Sequence, residues 1–216
     1  MTLQPSFDAV IFDLDGTLID TESVALTTGQ AAFASVGHAV DLDFMHQLVG
    51  RDLPSSTAII LSHRPGIDLE SLNHLWRSAF DARIAQDLRL KPGVLELFEQ
   101  LTLPRALATS SGRTGAHHKL RLVGIEAEFA HIITLDDVQA AKPAPDPFLL
   151  AAKRLGVDPA RCVAFEDSET GAESAHRAGM HVVQVPDVVP TTGRFAHHVA
   201  ADILTGARAV GIIPAV

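Results

Sequence analysis

The chain has 216 residues, 47% of them hydrophobic and 20% charged. This balance excludes a disordered or fibrous polypeptide and suggests one or two domains at about 150 residues each. Lys and Arg number 17 against 26 Asp and Glu, a net charge of −9, so nucleic-acid and anionic-membrane partners are not expected. The single cysteine, Cys162, cannot close an internal disulfide. No stretch approaches the roughly 18 to 20 apolar residues of a membrane span, and no basic residue precedes the first apolar run, so a cytoplasmic chain is expected.

Ala9–Phe12 is the first short apolar run and reads as a strand. From there to Asp87 no comparable run appears. Apolar residues instead recur at helical spacing, among them Val24, Phe33, Phe44, Leu48, Ile60, Leu72, Trp76, Phe80 and Ile84. Residues 18–87 therefore read as an inserted helical domain, joined through two connections at 18–21 and 85–91. A helix follows around 94–101, then strands at 106–109 and 131–135. A helix at 148–155 is closed by Gly156, a strand covers 162–165, a helix at 170–178 is closed by Gly179, and a weaker strand covers 181–185. Residues 201–204 read as a closing edge element without chemistry. Strands alternating with helices predict an α/β fold, a doubly wound parallel sheet with a Rossmann-like core over 1–17 and 88–216 and an α-helical cap over 18–87. In such sheets ligands bind beyond the carboxyl ends of the strands, where the strand order reverses.

The polar residues just after the strands carry the chemical signal. Asp13-Leu14-Asp15-Gly16-Thr17-Leu18 follows the first strand. Carboxylates at i and i+2 on a turn can converge, one on a hard cation and one free for proton transfer, and an Asp can attack phosphorus directly. By itself the pair reads first as a turn that uses Asp and Gly for their dihedrals. Thr109-Ser110-Ser111-Gly112 ends the second strand, where hydroxyls and backbone N–H groups can hold phosphate oxygens. Lys142 stands among the prolines of Lys-Pro-Ala-Pro-Asp-Pro, a positioned ammonium able to neutralise a transferring phosphoryl group. Glu166-Asp167-Ser168 ends a later strand with a second acidic pair.

In this order the residues resemble the four signature motifs of the haloacid dehalogenase superfamily. The stretches LKPGVLELFEQL, KPAPDPFLLAAKRLGV and AFEDSETGAESAHRAGM are similar to the helical-cap subfamily of sugar-phosphate phosphatases, phosphoglycolate phosphatases and β-phosphoglucomutase. The resemblance implies Asp13 as nucleophile and Mg²⁺ ligand, and Asp15 as general acid and base with its backbone carbonyl on the metal. It implies Thr109 on the phosphoryl group with the amides of Ser110 and Gly16, Lys142 bridging Asp13 and phosphate, Asp167 on Mg²⁺, and Glu166 as ligand or supporting partner. Asp15 and the acidic metal pair argue against dehalogenation, which needs neither. The expected activity is Mg²⁺-dependent hydrolysis of a small phosphorylated metabolite through an aspartyl-phosphate. The alternatives are a phosphosugar mutase and a non-catalytic phosphometabolite-binding protein. No His follows Asp20-Thr21 as one does in β-phosphoglucomutase. Arg51, and more weakly Arg77, stand in the helical segment as clamps for a distal charged group of the substrate. A monomer or weak homodimer is expected.

Other signals are set aside. The 11 histidines show no HxxxH or HExxH spacing and read as surface or capping residues. Cys162 reads as a small core residue, Trp76 as cap-helix packing, and Asp136-Asp137 as a loop or helix cap.

Overall fold

The computed structural model describes residues 7–49 and 53–215. The chain separates into two compact units, one of residues 1–20 with 89–216 and the other of residues 21–88.

The first unit is built on β1 (Ala9–Phe12), β2 (Arg105–Ala108), β3 (His131–Ile133), β4 (Cys162–Glu166), β5 (His181–Gln184) and β6 (His198–Val199). All neighbouring strands pair in parallel, in the order β3-β2-β1-β4-β5-β6. The order reverses at β1. Its register sets Phe12 opposite Leu107 on one side and opposite Phe165 on the other. The chain ends leaving β1, β2 and β4 therefore emerge side by side, and the crevice beyond them is where such sheets take ligands. Every residue of β1 is buried, as in a parallel strand covered on both faces.

One face of the sheet packs against α7 (Asp146–Leu155) and α8 (Glu169–Arg177) through Ala9, Ile11, Ala106, Ala108, Ala164 and Phe148. Alanines on the strands let the helices approach closely, and full burial of Phe148 contributes about 2–3 kcal/mol. The other face carries an aromatic cluster: Phe12 stacks on Phe165 at 5.2 Å and meets Phe98 edge-on at 5.7 Å. Phe98 belongs to α5 (Val94–Gln100). The remaining helices of this unit are α6 (Arg113–Leu122) and α9 (Ile203–Ala209).

Several expected boundaries move. The strand expected at 131–135 stops at Ile133, because Thr134 and Asp137 form a reciprocal cap on a 3-10 turn. The residues expected as an edge element at 201–204 instead start α9, with Asp202 accepting the Thr205 amide at 2.7 Å. Helix α6 was not among the expected elements.

The second unit is helical: α1 (Glu22–Ser35), α2 (Leu42–His46), α3 (Leu53–His63) and α4 (Leu69–Asp87). Asp41 and Asp68 cap α2 and α4 through their side chains. Trp76 packs as expected, its Nε1 donating to the Ala25 carbonyl at 3.1 Å and its ring 6.1 Å from Phe33. A Cβ on Gly29 would lie 2.7 Å from that indole, so glycine lets α1 and α4 touch. Helix α4 continues through Asp87, shortening the connection expected at 85–91. In the first unit the Asp20 amide donates to the Arg89 carbonyl at 2.9 Å, and the Lys91 amide to the Leu18 carbonyl at 2.8 Å. Among the described residues no helix is long and apolar enough to cross a membrane.

Candidate active site

Asp13 is the first residue past β1. Its amide donates to the Phe165 carbonyl at 2.9 Å, which extends the ladder and aims the side chain into the crevice. The backbone then turns at Gly16, whose φ of +85° only glycine adopts at low cost. A Cβ there would also stand 2.4 Å from Asp167 Oδ2, so the turn brings the first motif against the last. The Gly16 amide donates to the Ile19 carbonyl at 2.9 Å. It closes the turn rather than facing a phosphate, which corrects the role expected for it.

Lys142 reaches in from the loop before α7. Its Nζ donates to Asp13 Oδ1 at 2.6 Å and to Glu166 Oε1 at 2.7 Å, with the side chain only 4% exposed. The ammonium also lies 4.9 Å from the centre of the Phe148 ring. Glu166, the last residue of β4, has both oxygens engaged: Oε2 accepts from the Ser168 amide at 3.0 Å and from the Ser168 hydroxyl at 2.9 Å. Its geometry is that of a residue holding Lys142 and the start of α8. Asp167 accepts from Thr17 Oγ1 at 3.2 Å, and buried Gln184 donates to its backbone carbonyl at 3.3 Å.

Carboxylate oxygens of Asp13, Glu166 and Asp167 lie within 4.8 Å of one another. Three acidic groups face one ammonium, Lys142. Burial pushes Asp13 up to about 8, with Glu166 and Asp15 adding to the rise and Lys142 opposing it. Burial alone would lower the pKa of Lys142, but the charges of Asp13 and Glu166 outweigh it and raise it. Hard oxygen donors crowded together in this way fit a hard divalent cation such as Mg²⁺. The Asp15 carboxylate is not part of this group.

Thr109 follows β2, its amide on the Ile133 carbonyl at 2.9 Å. It is buried, and its Oγ1 accepts the Ser111 amide at 3.0 Å, which leaves the hydroxyl proton to donate. Ser110 is exposed beside it. Asp15 holds contacts that the sequence reading missed. Lys119 Nζ on α6 pairs with Oδ1, and Ser111 Oγ donates to Oδ2 at 2.7 Å. Lys119 lies between buried Ala116 and Leu120 on the apolar stripe of α6, a position where a lysine is a visible departure from the helical pattern.

Arg51 lies outside the described residues, and Arg77 is exposed on α4. Cys162 is buried, and burial pushes its thiol up to about 11. Asp136 and Asp137 cap backbone amides of Arg113 and Thr134, as expected of them. His197 and His198 are exposed, as expected, and the half-buried His181 ring stacks on His197 at 4.3 Å and lies 5.3 Å from His198.

A doubly wound sheet with an acidic cluster, two lysines with buried side chains and a buried threonine at its reversal point defines a class of α/β hydrolytic enzymes with a helical insertion. Residues 7–179 match the haloacid dehalogenase-like hydrolase family, and the chain belongs to it. It is 38% identical over 192 residues to YhcW of Bacillus subtilis strain 168, covering 87% of each chain. It is 31% identical to the fructose-1-phosphate phosphatase YqaB of Escherichia coli K12, covering 83% of this chain and 96% of the other. A crystal structure of a family hydrolase from Deinococcus radiodurans R1, with bound phosphate and sodium, superposes with a TM-score of 0.85. It is 27% identical and covers 98% of this chain and 100% of the other.

Proposed function

We propose that the chain is a Mg²⁺-dependent phosphatase that hydrolyses a small phosphate monoester, a sugar phosphate or similar metabolite, through an aspartyl-phosphate on Asp13. The observation that carries this reading is Lys142 held between Asp13 and Glu166 at the reversal point of the sheet, with the Thr109 hydroxyl at the next strand end. The fructose-1-phosphate activity in the name of YqaB supports the substrate class, and the phosphate in the Deinococcus radiodurans hydrolase supports the ligand.

An Asp13 oxygen attacks phosphorus as the bond to the substrate alkoxide breaks, and Asp15 gives that alkoxide its proton. Asp15, now ionised, takes a proton from the water that attacks the phosphorus. Inorganic phosphate leaves, Asp13 is regenerated, and one water is consumed. Lys142 and Thr109 steady the phosphoryl oxygens, together with the Ser110 amide. A Mg²⁺ bound by Asp13 and Asp167, with the Asp15 backbone carbonyl, would supply further positive charge at the phosphoryl group. The helical unit is assigned the part of a cap that selects the substrate.

The test is phosphate release from a panel of monoesters including fructose 1-phosphate, with Mg²⁺ or EDTA, by the wild type and Asp13→Asn. Release that needs the metal and is lost in the variant is the expected result. Activity indifferent to both overturns the mechanism. Isomerisation of β-glucose 1-phosphate with its bisphosphate activator, without net release, would turn the assignment to a mutase.

A further inference from the structure

Two residues beyond Asp13 a second carboxylate is anchored, and its ammonium comes from none of the strand-end motifs. Lys119 of α6 has a side chain only 9% exposed. Its Nζ donates to Asp15 Oδ1 and also to Ser111 Oγ at 2.8 Å, while Ser111 Oγ donates to Asp15 Oδ2 at 2.7 Å. The three side chains form a closed ring, and the direction of each bond is dictated. An ammonium has three donors and no acceptor, so Ser111 accepts from Lys119, and toward an ionised Asp15 it gives its own proton. Both oxygens of Asp15 are thus held.

We propose that Lys119, acting with Ser111, is a positioning residue that fixes the carboxyl plane of Asp15 for proton transfer to the leaving oxygen. The inference rests on the acid–base role given to Asp15 above. An ammonium taken out of water is strongly disfavoured unless it is paired, and a leucine or methionine would cover the apolar face of α6 without that penalty. A lysine at this position therefore answers to what it touches. What it touches is the carboxylate that must stand within about 2.6–3.2 Å of an alkoxide as the Asp13–phosphorus bond forms and the phosphorus–alkoxide bond breaks. A carboxyl free to turn about its last torsion meets that requirement only part of the time, and pre-orientation removes the loss. Ser111 adds a backbone tie through its amide on Thr109 Oγ1, so the ring is attached to the residue proposed to hold the phosphoryl group.

The experiment compares kcat/KM for fructose 1-phosphate and p-nitrophenyl phosphate in the full chain, as wild type, Lys119→Met, Ser111→Ala and Asp15→Asn. An alkoxide needs a proton to depart; p-nitrophenolate departs without one. A helix defect or a general loss of folded protein lowers both substrates equally. Loss of a positioned acid lowers the alkyl phosphate selectively, and a general acid accounts for roughly 10²–10⁴ in rate. Lys119→Met is expected to reduce the ratio of the two kcat/KM values by about 10- to 100-fold, and Ser111→Ala by about 3- to 10-fold. If Lys119→Met does not fold, Ser111→Ala carries the same comparison. An unchanged or increased ratio in the folded variants, with Asp15→Asn still selective, overturns the positioning role alone. An Asp15→Asn variant that loses both substrates equally removes the acid role itself, and this inference with it.

Discussion

Asp13 and Asp15 stand two residues apart on one turn, and each is met by its own lysine, yet the two surroundings differ in kind. Asp13 is 6% exposed and crowded by two further carboxylates, with Lys142 shared between it and Glu166. Asp15 has a side chain 25% exposed, a lysine and a hydroxyl on its two oxygens, and no place in the acidic group. The first arrangement gathers three carboxylates with Lys142 among them, the setting proposed above for a cation beside an anionic phosphoryl group. The second pairs one carboxylate with one ammonium and a hydroxyl, and its proposed contribution is orientation. One chain segment thus holds two like side chains in different surroundings because different helices and loops close on it.

The sharpest way to break this comparison is to exchange the two lysines' losses. Lys142→Met should lower kcat/KM by about 10²- to 10³-fold for fructose 1-phosphate and p-nitrophenyl phosphate alike, since it removes charge from the phosphoryl group whatever leaves. A selective loss on the alkyl phosphate would place Lys142 with Asp15 instead. Gly171→Ala is the next largest effect. Its Cβ would fall 1.7 Å from Glu166 Oε1, on the side that holds Lys142. The variant should lose about 1–3 kcal/mol in urea unfolding and much of its activity. Wild-type stability and activity would show that Glu166 can move without consequence.

The smallest expected effect lies away from both carboxylates. Burial, with His197 and His198 adding, pushes His181 down to about 4, and its ring also lies 5.2 Å from Phe7. The unfolded chain takes up this proton near pH 6.5 and the folded chain only near 4. The stability is whole above about pH 6.5 and falls as pH drops toward 4. Allowing for the ring's partial exposure, the loss is about 1–2 kcal/mol. His181→Leu should flatten urea midpoints between pH 7 and pH 4.5; a slope as steep as in the wild type would assign the loss to other groups.

The order of strands and helices was legible because each strand is a short apolar run ended by polar or glycine residues, and because Gly156 and Gly179 close α7 and α8. The residues around Asp13 were legible for the same reason. Asp13 and Thr109 directly follow strands, and Glu166 ends one, so once the strands are parallel neighbours their ends must meet. The 3-10 turn after Ile133 and the start of α9 at Ile203 were not legible, since local side-chain caps end or begin those elements within one or two residues.

The sequence alone determined that acidic residues and a threonine follow or end strands and that a lysine stands in a proline-fixed loop, because strand ends and turn chemistry are local properties. Tertiary structure alone decided what surrounds Asp15 and His181. Lys119 is 104 residues from Asp15 along the chain and meets it only because α6 leaves β2 beside the end of β1. The His181 stack exists only because the chain returns beside β5 to form β6. No periodicity along the chain encodes contacts between side chains that packing brings together.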